Sequence, residues 1–142
     1  MKTWLLYALL SALSAALVSI FGKVGLKDLD ANVATAVRAI TMAIFLIGVI
    51  AIQGKLGNIS DVISDRKSLL FIILSGIAGA SSWLFYFLAL KEGNISQVAP
   101  IDKLSVVFAV ILAIIIFGEN VSLIHAFAIA LIAIGGLILA IY

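Results

Sequence analysis

Arg38, Asp102 and Lys103 are ionisable residues that each lie inside or at the end of a long apolar run, and Trp83 and Tyr86 lie within another such run. Ionisable side chains inside membrane spans are costly and normally face a partner or a wet cavity. A guanidinium can bind an anionic group through paired N–H donors. It can equally hold a carboxylate on another helix. Trp83 and Tyr86 can line a cavity for an organic solute, or serve as interface-belt and packing residues. His125 is expected to be a hydrogen-bonded packing residue rather than a proton relay, and no metal-ligand cluster accompanies it. With no nucleophile–base pair and no metal set to assemble, no catalytic residue, metal site or cofactor is assigned, and the chain is not expected to be an enzyme.

The elements that position these residues follow from composition. Of 142 residues, 65% are apolar and 11% are charged. Soluble domains average roughly 45–50% apolar and about 25% charged, so this chain has too few polar residues to cover a water-facing surface. It carries no cysteine, which excludes disulfides and thiolate chemistry. Its net charge of +2 comes from scattered residues and leaves no footprint for nucleic acid.

A spanning helix needs ~20 mostly apolar residues. Five segments qualify, at about residues 4–22, 32–53, 69–90, 96–117 and 121–142. The fold class is therefore an all-α integral membrane protein with five transmembrane helices in one domain over 1–142. The breaks carry helix-end chemistry: Gly22 and Gly25 close the first helix, Asn32 caps the second, Gly93 stops the third, and Asn94 or Ser96 caps the fourth. Gly118 to Asn120 is so short that the last two helices must be antiparallel neighbours. In the loop from Gly54 to Ser68, Ile59, Val62 and Ile63 have helical spacing, consistent with a short interfacial helix or a plain polar loop. Lys2 and the SALSA stretch imitate a signal peptide, but four further spans favour an uncleaved first helix. Asn58-Ile-Ser60 and Asn94-Ile-Ser96 match a glycosylation pattern by chance, since they fall on opposite sides of the membrane.

At ~1.5 Å per residue, Arg38 and Asp102 each lie about 9 Å in from the same side, six residues past Asn32 and Ser96. Trp83 and Tyr86 lie roughly 6–10 Å from that side, so these four residues and Lys103 are expected to form one layer at similar depth. Insertion of the fourth segment is favourable because its charges sit at its end. Leu104 to Phe117 holds eleven Leu, Ile, Val or Phe residues, together about −3 to −7 kcal/mol near the bilayer centre, where Asp and Lys would each cost about +2.5 to +3.5. Pro100 is expected within the first turn or so, where its missing donor matters least. Adjacent helical residues point about 100° apart. Asp102 is therefore expected to face Arg38, with Lys103 snorkelling or partnered elsewhere. Small-residue stripes on the first, third and last helices, Gly76 and Gly79 or Gly135 and Gly136 among them, suit close packing.

Five spans put the termini on opposite sides. Loops on the N-terminal side carry Lys2, Lys55, Arg66 and Lys67; those on the other carry Lys23, Lys27 and Lys91, and Arg38 and Lys103 lie in that half of the membrane. The sign of the positive-inside bias therefore depends on whether the intramembrane pair is counted. Two readings stand: a weakly biased protein with one orientation, or copies inserted both ways.

The run FGKVGLKDLDANVATAVRAI, then WLFYFLALKEGNISQVAPIDKLSVVFAVILAIIIFGE, then a last helix with Gly135 and Gly136, resembles the EamA-type domain of the drug/metabolite transporter superfamily over nearly the whole chain. Its most specific parts are Gly22, Lys23, Gly25, Leu26, Asp30 and Arg38, the FLALKEGNISQVAPI junction, and Phe117 to Glu119. The resemblance implies a permease for a small metabolite or drug-like solute, multi-pass in a prokaryotic cell membrane and working by alternating access. Family members commonly join two such domains as an inverted repeat. A single domain then implies an antiparallel homodimer, or a heterodimer with a similar half; a non-transporting accessory subunit is the alternative. The candidate substrate-binding residues are Arg38, Trp83, Tyr86, Asp102 and Lys103, with membrane lipid around them. The related small multidrug-resistance transporters use an acidic residue in the first helix. Trp4 to Gly22 holds none, which leaves Asp102 as the carboxylate for any coupling. Glu119 is expected to serve the turn between the last two helices.

Overall fold

A computed structural model describes residues 3–141. Lys2, counted above among the basic loop residues, and Tyr142, the expected end of the last helix, lie outside the described residues. The helices are α1 (Thr3–Gly25), α2 (Ala31–Ile52), a 3-10 turn (Leu56–Asn58), α3 (Ile59–Ser64), α4 (Arg66–Glu92), α5 (Ile95–Asp102), α6 (Leu104–Phe117) and α7 (Leu123–Ile141). Among the described residues, five segments are long and apolar enough to cross a membrane, with α5 and α6 together forming the fourth. Most of their large apolar side chains are exposed, Phe45, Phe71, Phe85 and Phe117 among them. Such surfaces suit lipid. Several hydroxyls inside the spans bond within their own helices: Ser14 donates to the Leu10 carbonyl at 2.9 Å, Thr41 to Val37 at 3.1 Å and Ser81 to Ile77 at 2.9 Å, which shields them from hydrocarbon.

The chain divides into two compact units, one formed by the residues up to Lys23 with those from Glu92 onward, the other by Val24–Lys91. In the first unit α5 and α6 both pack against α7. Lys23 Nζ donates to the Gly93 carbonyl at 2.7 Å, tying the end of α1 to the start of the fourth span. Gly118 adopts a left-handed φ of +66°, and its N–H reaches the Ile114 carbonyl at 3.1 Å. This αL stop sets up the short connection to α7.

The fourth span is two helices rather than one. The chain leaves the α-helix at Lys103, whose N–H bonds to the Pro100 carbonyl at 3.1 Å, while Val106 N–H bonds back to Lys103 at 3.0 Å. Pro100 lies just past the first turn. The helix starts at Ile95 with Asn94 as its N-cap residue, so Pro100 is its sixth residue. There its missing N–H is not one of the four that a helix start leaves free, and the helix ends two residues later.

In the second unit α2 starts one residue earlier than expected, and the cap is Asp30 rather than Asn32. Asp30 has extended backbone, and its Oδ1 accepts from Asn32 N–H at 2.9 Å and Val33 N–H at 3.0 Å. Gly54, with φ +68°, ends α2; the Lys55 N–H returns to the Ile50 carbonyl at 2.9 Å and the Gly54 N–H to Ala51 at 3.0 Å. Two apolar positions of the expected interfacial segment, Val62 and Ile63, fall in the short helix α3 with Ile59 at its start. Asp65 then precedes α4, accepting from the Lys67 and Ser68 N–H groups and from the Ser68 hydroxyl. These hydrogen bonds, led by the Ser68 side chain, lower the pKa of the exposed Asp65 carboxyl below its ordinary range. Leu26, Ala31, Tyr86, Phe87 and Leu90 are the buried apolar residues. Lys91 Nζ donates to the Leu29 carbonyl at 2.9 Å, fastening the end of α4 to the loop before α2.

Candidate functional site

Two helix faces in the second unit build the site. On α4, Trp83, Tyr86, Phe87 and Leu90 follow i, i+3, i+4, i+7 spacing and so share one face. The Trp83 and Tyr86 rings meet edge to face, with centroids 5.6 Å apart at 84°. Phe87 completes the cluster, 5.8 Å from Trp83 and 6.1 Å from Tyr86. On α2, Val33, Ala34, Val37, Arg38 and Thr41 share a stripe that lines an open groove.

Arg38 joins the two faces. Its Cζ lies 3.7 Å from the Trp83 ring centroid and 5.1 Å from that of Phe87. A guanidinium over an indole is attracted by the negative ring face, worth ~0.5–2 kcal/mol depending on desolvation. The stack occupies the flat face of the guanidinium and leaves its N–H edges for oxygen acceptors. Beside it runs a groove of about 480 Å³ lined by Leu29, Asp30, Val33, Ala34, Val37, Arg38 and Thr41. Its walls are almost wholly apolar apart from Arg38 and Asp30, whose Oδ1 is engaged as the α2 cap.

Three of the residues expected at the site, Arg38, Trp83 and Tyr86, are thus brought into one aromatic cluster. Phe87 belongs to it and was not anticipated. The signal lay in the helical spacing from Trp83 to Leu90, which treats Tyr86 and Phe87 as neighbours on one face.

The other two, Asp102 and Lys103, lie at the break between α5 and α6. Lys103 does not point away from Asp102. Its Nζ lies 3.1 Å from Asp102 Oδ2, with the side chains 56% and 33% exposed respectively. The 100° separation applies to consecutive residues of a continuous helix, and Lys103 is where the helix stops. The flexible lysine stem closes the remaining gap. His125 is exposed rather than packed, and its Nδ1 is 2.6 Å from the Ser122 hydroxyl at the start of α7.

The comparisons with known proteins agree with this architecture. Residues 2–141 match the EamA-like transporter family. A protein of Sinorhizobium sp., described as an uncharacterized transporter in the cobO 3′ region, is 38% identical over 141 residues, covering 99% of each chain. No solved structure matches. Together with the five spans, the family match from end to end makes this an integral membrane protein, and the chain belongs to the EamA-like transporter family.

Proposed function

We propose that the chain is one half of a small-molecule permease, completed by a second half placed antiparallel and working by alternating access. The observation that carries the reading is Arg38, a charge inside an apolar span, stacked at 3.7 Å on Trp83 beside an open groove. Membrane proteins pay for such a residue where a solute passes or binds. Family membership supports the transporter role, as does a relative called a transporter that is itself only about one such domain long. The nearly balanced basic residues of the two sides support insertion in both orientations, which supplies both halves from one chain. In this reading Trp83 and Tyr86 line the cavity, and Asp102 and Lys103 are further candidate substrate-binding residues.

The test is flux of solutes into liposomes containing the purified chain alone, with reporters fused at the C-terminus to read orientation. Flux that requires Arg38, with reporter signal from both sides, supports the antiparallel homodimer. Signal from one side, with flux only after a second protein is added, would replace it with a heteromer in which this chain is a partner subunit.

A further inference from the structure

The geometry points to an amphipathic organic anion as the occupant of the α2 groove, its charged group on the edge of Arg38 and its apolar body along Val37, Ala34 and Val33. The inference rests on the permease reading and names the solute class. Three observations carry it. The guanidinium face is taken by Trp83 and Phe87, which fixes the plane of the fork. No acceptor among the described residues takes a hydrogen bond from Arg38, so its in-plane donors are open to a ligand. The groove runs from Thr41 past Arg38 back to Asp30 and Leu29 just before α2, with Arg38 to Val33 spanning five residues or ~7.5 Å of the helix, and its walls are apolar apart from Arg38, the Thr41 hydroxyl and Asp30, whose Oδ1 caps α2. A carboxylate or phosphate can take two parallel N–H bonds from a guanidinium held this way. A cationic solute would meet Arg38 as a like charge. A small, fully hydrated anion would leave the apolar walls unused.

Binding is read from Trp83 emission in the full chain carrying Trp4→Phe, embedded in phosphatidylcholine nanodiscs. The probes are n-octanoate, octanol, n-octylammonium and acetate. Octanoate should saturate the signal with an affinity ~10-fold or more above each of the other three, the scale of a charge-assisted bidentate pair. Arg38→Gln should remove the advantage of octanoate over octanol while leaving octanol binding in place. Equal affinity for octanoate and octanol, or an advantage that survives Arg38→Gln, overturns the inference. If Arg38→Gln does not fold, the acetate comparison decides: acetate binding as tightly as octanoate reduces the site to a bare anion contact and also overturns it. Replacing part of the lipid with phosphatidylglycerol separates the sources. Competition with octanoate identifies an acidic lipid as the occupant, and its absence identifies a dissolved solute; both keep the amphipathic-anion chemistry. Binding without flux in liposomes would retain the site and reject the permease. Flux of another solute by a protein that shows no octanoate preference would retain the permease and reject the site.

Discussion

Gly136 of α7 lies against Pro100 of α5 so closely that a Cβ on the glycine would sit 3.2 Å from the Pro100 carbonyl oxygen and 3.2 Å from Leu104 Cδ2. The contact falls at the one place where the fourth span breaks. Pro100 O is also the acceptor for the Lys103 N–H that forms the break. The neighbouring Gly135 has nothing within 4 Å of the position its Cβ would take. Gly136→Val should therefore destabilise the protein by about 1–3 kcal/mol through overpacking. Gly135→Ala should be neutral or stabilising, because alanine is the better helix former. Thermal midpoints of the two variants in detergent give the comparison. Equal midpoints would remove the claim that α5 and α7 meet through Gly136.

Arg38 and lysine are not equivalent over an indole. Lysine would keep the charge but lose the planar stack and the paired donors. Arg38→Lys should lower solute flux by roughly 10-fold or more while the protein remains monodisperse and helical. Trp83→Phe should keep a weaker ring contact and a milder defect than Trp83→Ala, which removes the cation–π surface altogether. If Arg38→Lys transports normally, the site uses Arg38 only as a charge.

Much of this architecture is legible in the residues themselves. The five spans are visible because a bilayer demands length and apolarity, and almost nothing else in the chain competes with that pattern. Arg38, Trp83 and Tyr86 could be grouped by depth because helices rise at a fixed rate. The break at Lys103 was not legible. Leu104 to Phe117 reads as an uninterrupted apolar run, and Pro100 is harmless or disruptive according to where its helix starts. With Asn94 rather than Ser96 in the cap position, the helix starts at Ile95 and Pro100 falls in its second turn. A similar ambiguity hid the α2 cap: Asp30 and Asn32 are both capping types, and only the extended backbone at Asp30 decides between them. Asp102 and Lys103 pair because the helix ends between them, which no periodicity could foretell.

That pair should contribute little to stability, because both side chains reach solvent-accessible surface. A double-mutant cycle of Asp102→Asn with Lys103→Gln should give a coupling energy of about 0–1 kcal/mol, the range of exposed ion pairs. A coupling of several kcal/mol would instead place the pair in a low-dielectric setting. Solute flux measured on the same variants separates structure from transport: a flux loss with little change in stability supports a role for these charges in transport.

Asp65 provides a pH-dependent test outside the spans. Its hydrogen bonds to Ser68 and Lys67 favour the ionised carboxylate, so its pKa in the folded protein lies below the unfolded value. The sign follows from linkage: the cap's contribution is complete above the unfolded carboxylate range and is lost as pH falls through the lower folded value. Amide exchange at Lys67 and Ser68 should therefore show local opening of the first turn of α4 at acid pH, beyond the intrinsic pH dependence of exchange. Asp65→Asn retains a capping oxygen but has no proton to gain, so its protection factors at these amides should be independent of pH through the same range. A wild-type protein whose Lys67 and Ser68 protection is equally flat would mean that the carboxylate does not hold this helix start.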